Sequence, residues 1–214
     1  MYYDCENNQH GLKHNPWKSL LVPRPIGWIS TLDGNGTVNL APYSFFNGVG
    51  DDPNYVMFAS GGMKDTMRNV EDSGEFVCIM ATWDLRQQMN MTSAGFAASV
   101  DEMKLAGLTP VASQFVKPPR IAESPVAIEC RHHQTVHLPG RDGGAMPPYS
   151  VVFGRVAGIY IDDKVIKDGI VDIAAIKPIA RMGYQDYAVV TAQTMFSMQR
   201  PDAKSVLAKP SHPK

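Results

Sequence analysis

The sequence predicts a mainly β protein with short helices, built as a closed antiparallel barrel whose ends the helices plug. Three observations carry this reading. About seven segments read as strands against three or four short helices. The strands are not regularly interleaved with long helices, which argues against a parallel doubly wound sheet. Between two strand-like runs lies Asp33-Gly34-Asn35-Gly36, a strong hairpin signal because Gly and Asn tolerate positive φ.

The elements follow in order. Residues 1–18 are polar and irregular and read as an N-terminal arm. From Pro25, Ile26, Trp28 and Ser30 alternate with Gly27, Ile29 and Thr31, the period of a strand. Thr37 to Ala41 returns as its partner. Tyr55 to Ser60 is a continuous apolar run, expected as a strand covered on both faces. Met63 to Ser73 reads as a helix stopped by Gly74. Glu75 to Ala81 is a second buried strand. Asp84 to Met91 reads as a helix with Asp84 as its cap. Ser99-Val100-Asp101-Glu102 has the form of a capping box, opening a short helix that Gly107 ends. Pro110 to Pro119 is loop-like. From Val126, Ile128 and Cys130 share one strand face, with Ala127, Glu129 and Arg131 on the other. Leu138 to Pro148, rich in Gly and Pro, reads as a long loop. Val151 to Ile161 and Ala188 to Met198 read as strands. Between them Asp172 caps a short helix through Ile176, broken at Pro178. The expected organisation is an arm over 1–20, one domain over 21–200 and a polar tail over 201–214.

Bulk composition excludes several functions. The chain has 214 residues and a formal net charge of -1, unlike the basic footprint of a nucleic-acid binder. No apolar run approaches a membrane span and no charged-then-apolar leader opens the chain. Cys5, Cys78 and Cys130 form neither a CxxC pair nor a disulfide framework. A soluble, cytoplasmic protein is expected. Cys78 and Cys130 lie in apolar runs and read as buried thiols. His132 and His133 point to opposite strand faces, and His133 and His137 would stand about 13 Å apart at roughly 3.3 Å per residue, so no metal site is expected.

Three clusters have the residue types that binding chemistry needs. The first joins Arg24-Pro25-Ile26-Gly27-Trp28-Ile29-Ser30-Thr31 to Asn39-Leu40-Ala41-Pro42-Tyr43-Ser44-Phe45-Phe46. Small side chains let a flat ring approach the backbone, and Ser and Asn offer hydrogen bonds to its polar edge. An ordinary hairpin with Ser and Thr facing water would look the same. The second runs from Ser60-Gly61-Gly62 through Lys64, Thr66 and Arg68 to Asn69. A strand leading through glycines into a helix start leaves backbone N–H groups free for an anion. A plain surface cap is the alternative. The third is Arg181-Met182-Gly183-Tyr184-Gln185-Asp186-Tyr187, which suits a ligand wall, a subunit contact or a turn entering the last strand. Neither G-x-G-x-x-G nor a nucleophile elbow occurs.

The segments PRPIGWIST, NLAPYSFF, KDTMRN and PIARMGYQDY, in this order from about Pro23 to Val190, resemble the flavin reductase-like family of FMN-binding split barrels. That resemblance implies an antiparallel, Greek-key-like split β-barrel, a homodimer and FMN at its interface. It implies hydride transfer between NAD(P)H and flavin N5, with the cofactor supplying the redox chemistry and no catalytic side chain. Arg24, Trp28, Ser30 and Thr31 would border the isoalloxazine. Asn39, Ala41, Ser44 and Phe45 would meet its edge or the ribityl chain. Lys64, Thr66 and Asn69 would serve the phosphate, and Arg181 and Tyr187 would complete the pocket. Two roles follow: an NAD(P)H-dependent oxidoreductase that supplies a partner oxygenase, or an FMN electron carrier without nicotinamide turnover. A barrel binding some other small apolar ligand is the third reading. The chain departs from the family at Tyr184, where relatives often show the second glycine of Arg-x-Gly-Gly. A bulky ring there, or the Leu138 to Pro148 loop, would cover the flavin face.

Overall fold

The Asp33 turn is built as its sequence requires. In the computed structural model, which describes residues 1–141 and 147–204, Asp33 Oδ1 accepts from the N–H groups of Asn35 and Thr37 at 2.9 and 2.7 Å. Gly36 takes the positive φ, at 82°. The turn joins β2 (Gly27–Leu32) to β3 (Val38–Tyr43), and β1 (Arg24–Pro25) precedes them. The chain continues through β4 (Phe46–Asp51), β5 (Asn54–Gly61), α1 (Asp65–Ser73) and β6 (Glu75–Met80). Then come α2 (Arg86–Met91), α3 (Glu102–Leu105), β7 (Pro110–Val111), β8 (Arg120–Ile121), and the long hairpin of β9 (Val126–Leu138) and β10 (Tyr149–Ile161). β11 (Ile166–Lys167), β12 (Ile170–Val171), α4 (Ile173–Ile176), β13 (Ile179–Arg181) and β14 (Tyr187–Val189) complete the described elements.

One antiparallel sheet organises them, with the seven strands in the order β3-β2-β6-β9-β10-β5-β4. Its two edge strands, β3 and β4, are consecutive in the chain, with only Ser44 and Phe45 between them. The sheet therefore rolls until its edges meet at a seam. At that seam Gly27 lies under the Phe46 ring, so close that a Cβ at 27 would stand 2.5 Å from Phe46 Cδ2.

β6 is an interior strand and buried on both faces, as expected. Phe76 and Cys78 enter one core with Ile29, Phe58, Cys130 and Val152. Val77 and Ile79 enter a second with Trp28, Leu40 and Ile121. The first core is enclosed by the rolled sheet, and Met67 and Val70 of α1 plug its end. The other expected plugs are not plugs: Met89 of α2 and Met103 of α3 pack in the second core. Both buried thiols, Cys78 and Cys130, sit in the enclosed core, and burial pushes the Cys78 thiol well up.

Several local expectations are corrected. β5 is covered on one face only: Val56, Phe58 and Ser60 are buried, while Ala59 and Gly61 border open space. Asp84 does not cap α2, which starts after Leu85 without a side-chain cap. The capping box does not form, because Asp101 caps α3 through Lys104 N at 3.0 Å and Glu102 turns to Leu40 N instead. Asp172 does cap α4, accepting from Ala175 N at 2.9 Å, and Gly74 ends α1 at φ 73°. The strand expected from Ala188 to Met198 is only β14, since its partner β13 offers three residues of ladder. β4 runs where no strand was expected, and β7 opens the Pro110 to Pro119 loop. The loop expected over Leu138 to Pro148 falls partly outside the described residues.

The enclosed core tolerates little added volume. A Cβ at Gly154 would stand 2.2 Å from Phe76 Cζ and 3.2 Å from Cys130 Cβ. Gly154→Ala should lose about 1–3 kcal/mol by overpacking. Gly34→Ala, with nothing within 4 Å of its Cβ, should stay within about 0.5 kcal/mol of the parent. Urea denaturation of the two variants measures the difference.

Candidate functional site

The seam opens into a cavity of about 640 Å³. Asn39 and Ala41 of β3, Ser44 and Phe45 of the seam, and Ala59 and Gly61 of β5 form its walls. Gly62, at φ 72°, turns the chain from β5 into the start of α1. There Lys64 is extended (φ -94°, ψ 171°) and caps the helix with no side-chain hydrogen bond. The first turn thus presents backbone N–H groups that no side chain satisfies, beside Lys64 and Thr66 on the cavity wall. A second cavity of about 1000 Å³ adjoins the first, sharing Lys18, Pro42, Ser44 and Ser93.

Two side-chain hydrogen bonds hold α1 in this position. Asn39 Nδ2 donates to Thr66 Oγ1 at 2.8 Å, and Asn69 Nδ2 donates to Thr31 Oγ1 at 3.0 Å. Thr66 and Asn69 lie three residues apart, on one helix face, and Thr31 and Asn39 are cross-strand partners. The four residues therefore bracket the helix to the β2–β3 hairpin. Arg24 is a second bracket. Its guanidinium donates to the carbonyls of Lys18, Leu21 and Met182, tying the arm and the β13–β14 turn to β1.

The sequence-predicted residues divide accordingly. Asn39, Ala41, Ser44, Phe45, Lys64 and Thr66 line the seam cavity. Arg24, Arg181 and Tyr187 line the larger one. Trp28, Ser30, Thr31 and Asn69 line neither and lie buried behind the wall. Trp28 Nε1 donates to Thr92 Oγ1 at 2.9 Å, while Ser30 Oγ is buried without a hydrogen-bond partner. Arg68 lines the seam cavity, with its guanidinium held by Met63 O and Asp65.

Sequence reasoning missed several wall residues. Tyr149 stands edge-on to Phe45, with 6.2 Å between ring centroids; it lies between the expected loop, which ends at Pro148, and the expected strand, which starts at Val151. Lys18 was assigned to an irregular arm, and Ser93 and Phe96 follow α2 in a segment without periodicity. Glu102 was read as a cap. Of the three histidines on β9, His132 meets Thr135 Oγ1 and His137 meets Ser150 Oγ of the facing strand, both at 2.9 Å.

Tyr184 occupies a backbone position suited to glycine, with φ 54°. Its carbonyl accepts from Arg181. Its ring packs against His14 of the arm at 5.6 Å and lines the larger cavity.

Comparison with known proteins identifies the class. The flavin reductase-like domain family matches residues 19–178. An uncharacterised protein of Aquifex aeolicus is 38% identical over 176 residues, covering 78% of this chain and 85% of its own. Among solved structures, nitrilotriacetate monooxygenase component B from Bacillus cereus superposes with a TM-score of 0.82 at 27% identity, covering 92% of this chain and 98% of its own. The Pseudomonas fluorescens 2-nitrobenzoate 2-nitroreductase gives 0.80 at 25% identity, with 95% and 100% covered. The chain belongs to the flavin reductase-like family, and its rolled sheet is a split barrel. Its function is that of a flavin-related oxidoreductase. Among the described residues, no helix is long and apolar enough to cross a membrane.

Glu102 is the buried carboxylate of the seam wall. It accepts from Leu40 N at 3.0 Å, yet burial outweighs that bond and raises its pKa above 4.5. The folded chain thus binds the proton more tightly than the unfolded chain. This stabilisation is complete below the unfolded pKa and is lost as pH rises through the raised folded value. Glu102→Gln should remove that slope while retaining an oxygen for Leu40 N. Denaturation midpoints of both proteins, followed upward from pH 4, check it.

Proposed function

We propose that the protein holds FMN in the seam cavity, between two copies of the chain, and serves hydride transfer between NAD(P)H and flavin N5. The observation that carries this is the open start of α1, bracketed at one end of a cavity whose volume suits a small-molecule cofactor. The residues present fit the group. The N–H groups of the first turn of α1, with Lys64 and Thr66, would hold the phosphate. Ala41, Ser44 and Phe45 would border the ring and ribityl chain, with Asn39 beside them. Thr31 and Asn69 act through the bracket, and Trp28 and Ser30 support the wall from the core. Arg24 fixes the arm, and Arg181 and Tyr187 close the pocket on the open side. Bound flavin supplies the two-electron chemistry, and the chain's part is to bind, orient and shield it.

The proposed unit spans 21–200, with the arm over 1–20 and the tail over 201–214, in a cytoplasmic homodimer. The name of the Bacillus cereus neighbour, a monooxygenase component, supports delivery of reduced flavin to a partner oxygenase. One observation favours a second reading, an FMN electron carrier without nicotinamide turnover. The Tyr184 ring stands in the larger cavity against the arm and narrows the approach of a dinucleotide.

The protein as purified should show an oxidised flavin spectrum. Anaerobic NADH or NADPH should bleach it; a flavin that neither reduces at millimolar concentration leaves the carrier reading. Lys64→Ala should weaken FMN about tenfold, the loss of one charge-assisted contact, without moving the unfolding midpoint. Unchanged FMN affinity in a fluorescence titration would remove Lys64 from the phosphate site. Thr66→Ala is the less clean test, because its hydroxyl also accepts from Asn39.

A further inference from the structure

The larger cavity is charged in one sense. Lys18, Arg24, Arg86 and Arg181 stand on its wall, and no Asp or Glu of the described residues does. The chain as a whole is almost balanced, at -1, so this asymmetry is local. Arg24 and Arg181 are direct cross-strand partners on β1 and β13. Like charges so placed destabilise a sheet. Burial and then the nearby Arg181 charge lower the pKa of Arg24. Arg24 gives four of its five N–H donors to the carbonyls of Lys18, Leu21 and Met182 and to Ser44 Oγ. Arg181 and Arg86 each give a described hydrogen bond to one carbonyl, of Tyr184 and Trp83, out of the five N–H donors of a guanidinium.

The same wall is flat and aromatic. The Arg86 guanidinium lies 4.0 Å from the Trp83 ring centroid, and that of Arg181 lies 4.5 Å from Tyr187. Tyr184 adds a third ring, from a left-handed backbone position that an L residue takes at some cost. An anionic group facing the guanidinium edges would relieve the uncompensated charge, and a planar body would pack on the rings. A forked guanidinium matches a carboxylate in both geometry and charge. Among the described residues the wall carries no glycine, the residue that lets backbone approach a pyrophosphate. These features favour a carboxylate over a dinucleotide phosphate.

We infer that the larger cavity is a binding site for an aromatic carboxylate, its carboxylate held by Arg86 and Arg181 and its ring packed against Trp83, Tyr184 or Tyr187. The inference rests on the FMN reading only for the position of this ligand, beside the flavin ring across the Ser44 and Pro42 border. Binding itself does not require that reading.

The test uses the purified protein, titrated calorimetrically at low salt with benzoate, benzamide and cyclohexanecarboxylate. Benzoate should bind at least about tenfold more tightly than either analogue, since one lacks the charge and the other the flat ring. Arg86→Gln, which alters neither core nor seam, should weaken benzoate about tenfold and leave FMN content unchanged. Tyr184→Gly should weaken benzoate while relieving the backbone. Equal binding of benzoate and benzamide, or an Arg86→Gln variant that binds benzoate like the parent, overturns the inference. So does NADPH binding that depends on Arg86 when benzoate does not bind. FMN affinity, measured separately by flavin fluorescence, keeps the two readings apart. Benzoate binding to a protein that rejects FMN sinks the flavin reading alone, and FMN binding without benzoate sinks this one alone.

Discussion

The structure depends on a short link. The outermost strands of the sheet, β3 and β4, are joined by Ser44 and Phe45 alone. Three Cα–Cα steps of about 3.8 Å hold the two edges within about 11 Å of each other. A seven-stranded sheet can obey that only by rolling through a full turn. Rolling encloses one apolar core, leaves the open end for α1, and puts unpaired backbone and small side chains along the seam. The cavity is where the seam is, because there the ladder does not continue.

Position within that frame is set by polar brackets. The Asn39–Thr66 and Asn69–Thr31 bonds are each worth only about 1 kcal/mol in net stability. Their effect is positional, since they fix where the first turn of α1 points. Arg24 does the same for the arm and the β13–β14 turn. Polar residues near a cavity thus split into those that face it and those that aim the facing ones.

Legibility in the sequence followed chemistry that is local. The Asp33 turn, the Gly74 stop, the Asp172 cap and the double burial of β6 were readable because each depends on neighbours in sequence. β4 was not. Its residues are almost all exposed, so no apolar period marks it, and only pairing with β5 makes it a strand. The reverse error occurred after Val189, where alternation continues but the ladder has no further partner. Asn39, Lys64 and Thr66 were found as site candidates because their segments carry the family pattern. Tyr149, Lys18 and Glu102 were not, because Glu102 and Lys18 reach the wall from segments whose local pattern says cap and arm, and Tyr149 falls between the expected loop and the expected strand. For Thr31 and Asn69 the sequence shows only that they are polar and lie in the family segments, and packing shows that they meet each other.

The seam also joins two positions that lie nineteen residues apart by sequence number. Any side chain at 27 would enter the space that the Phe46 ring fills. Position 27 can enlarge only if position 46 shrinks, and a shrunken 46 leaves a gap unless 27 grows. Across descendants of this chain, the two should drift as a pair, each change waiting on the other, while the open tip of the β2–β3 turn varies on its own.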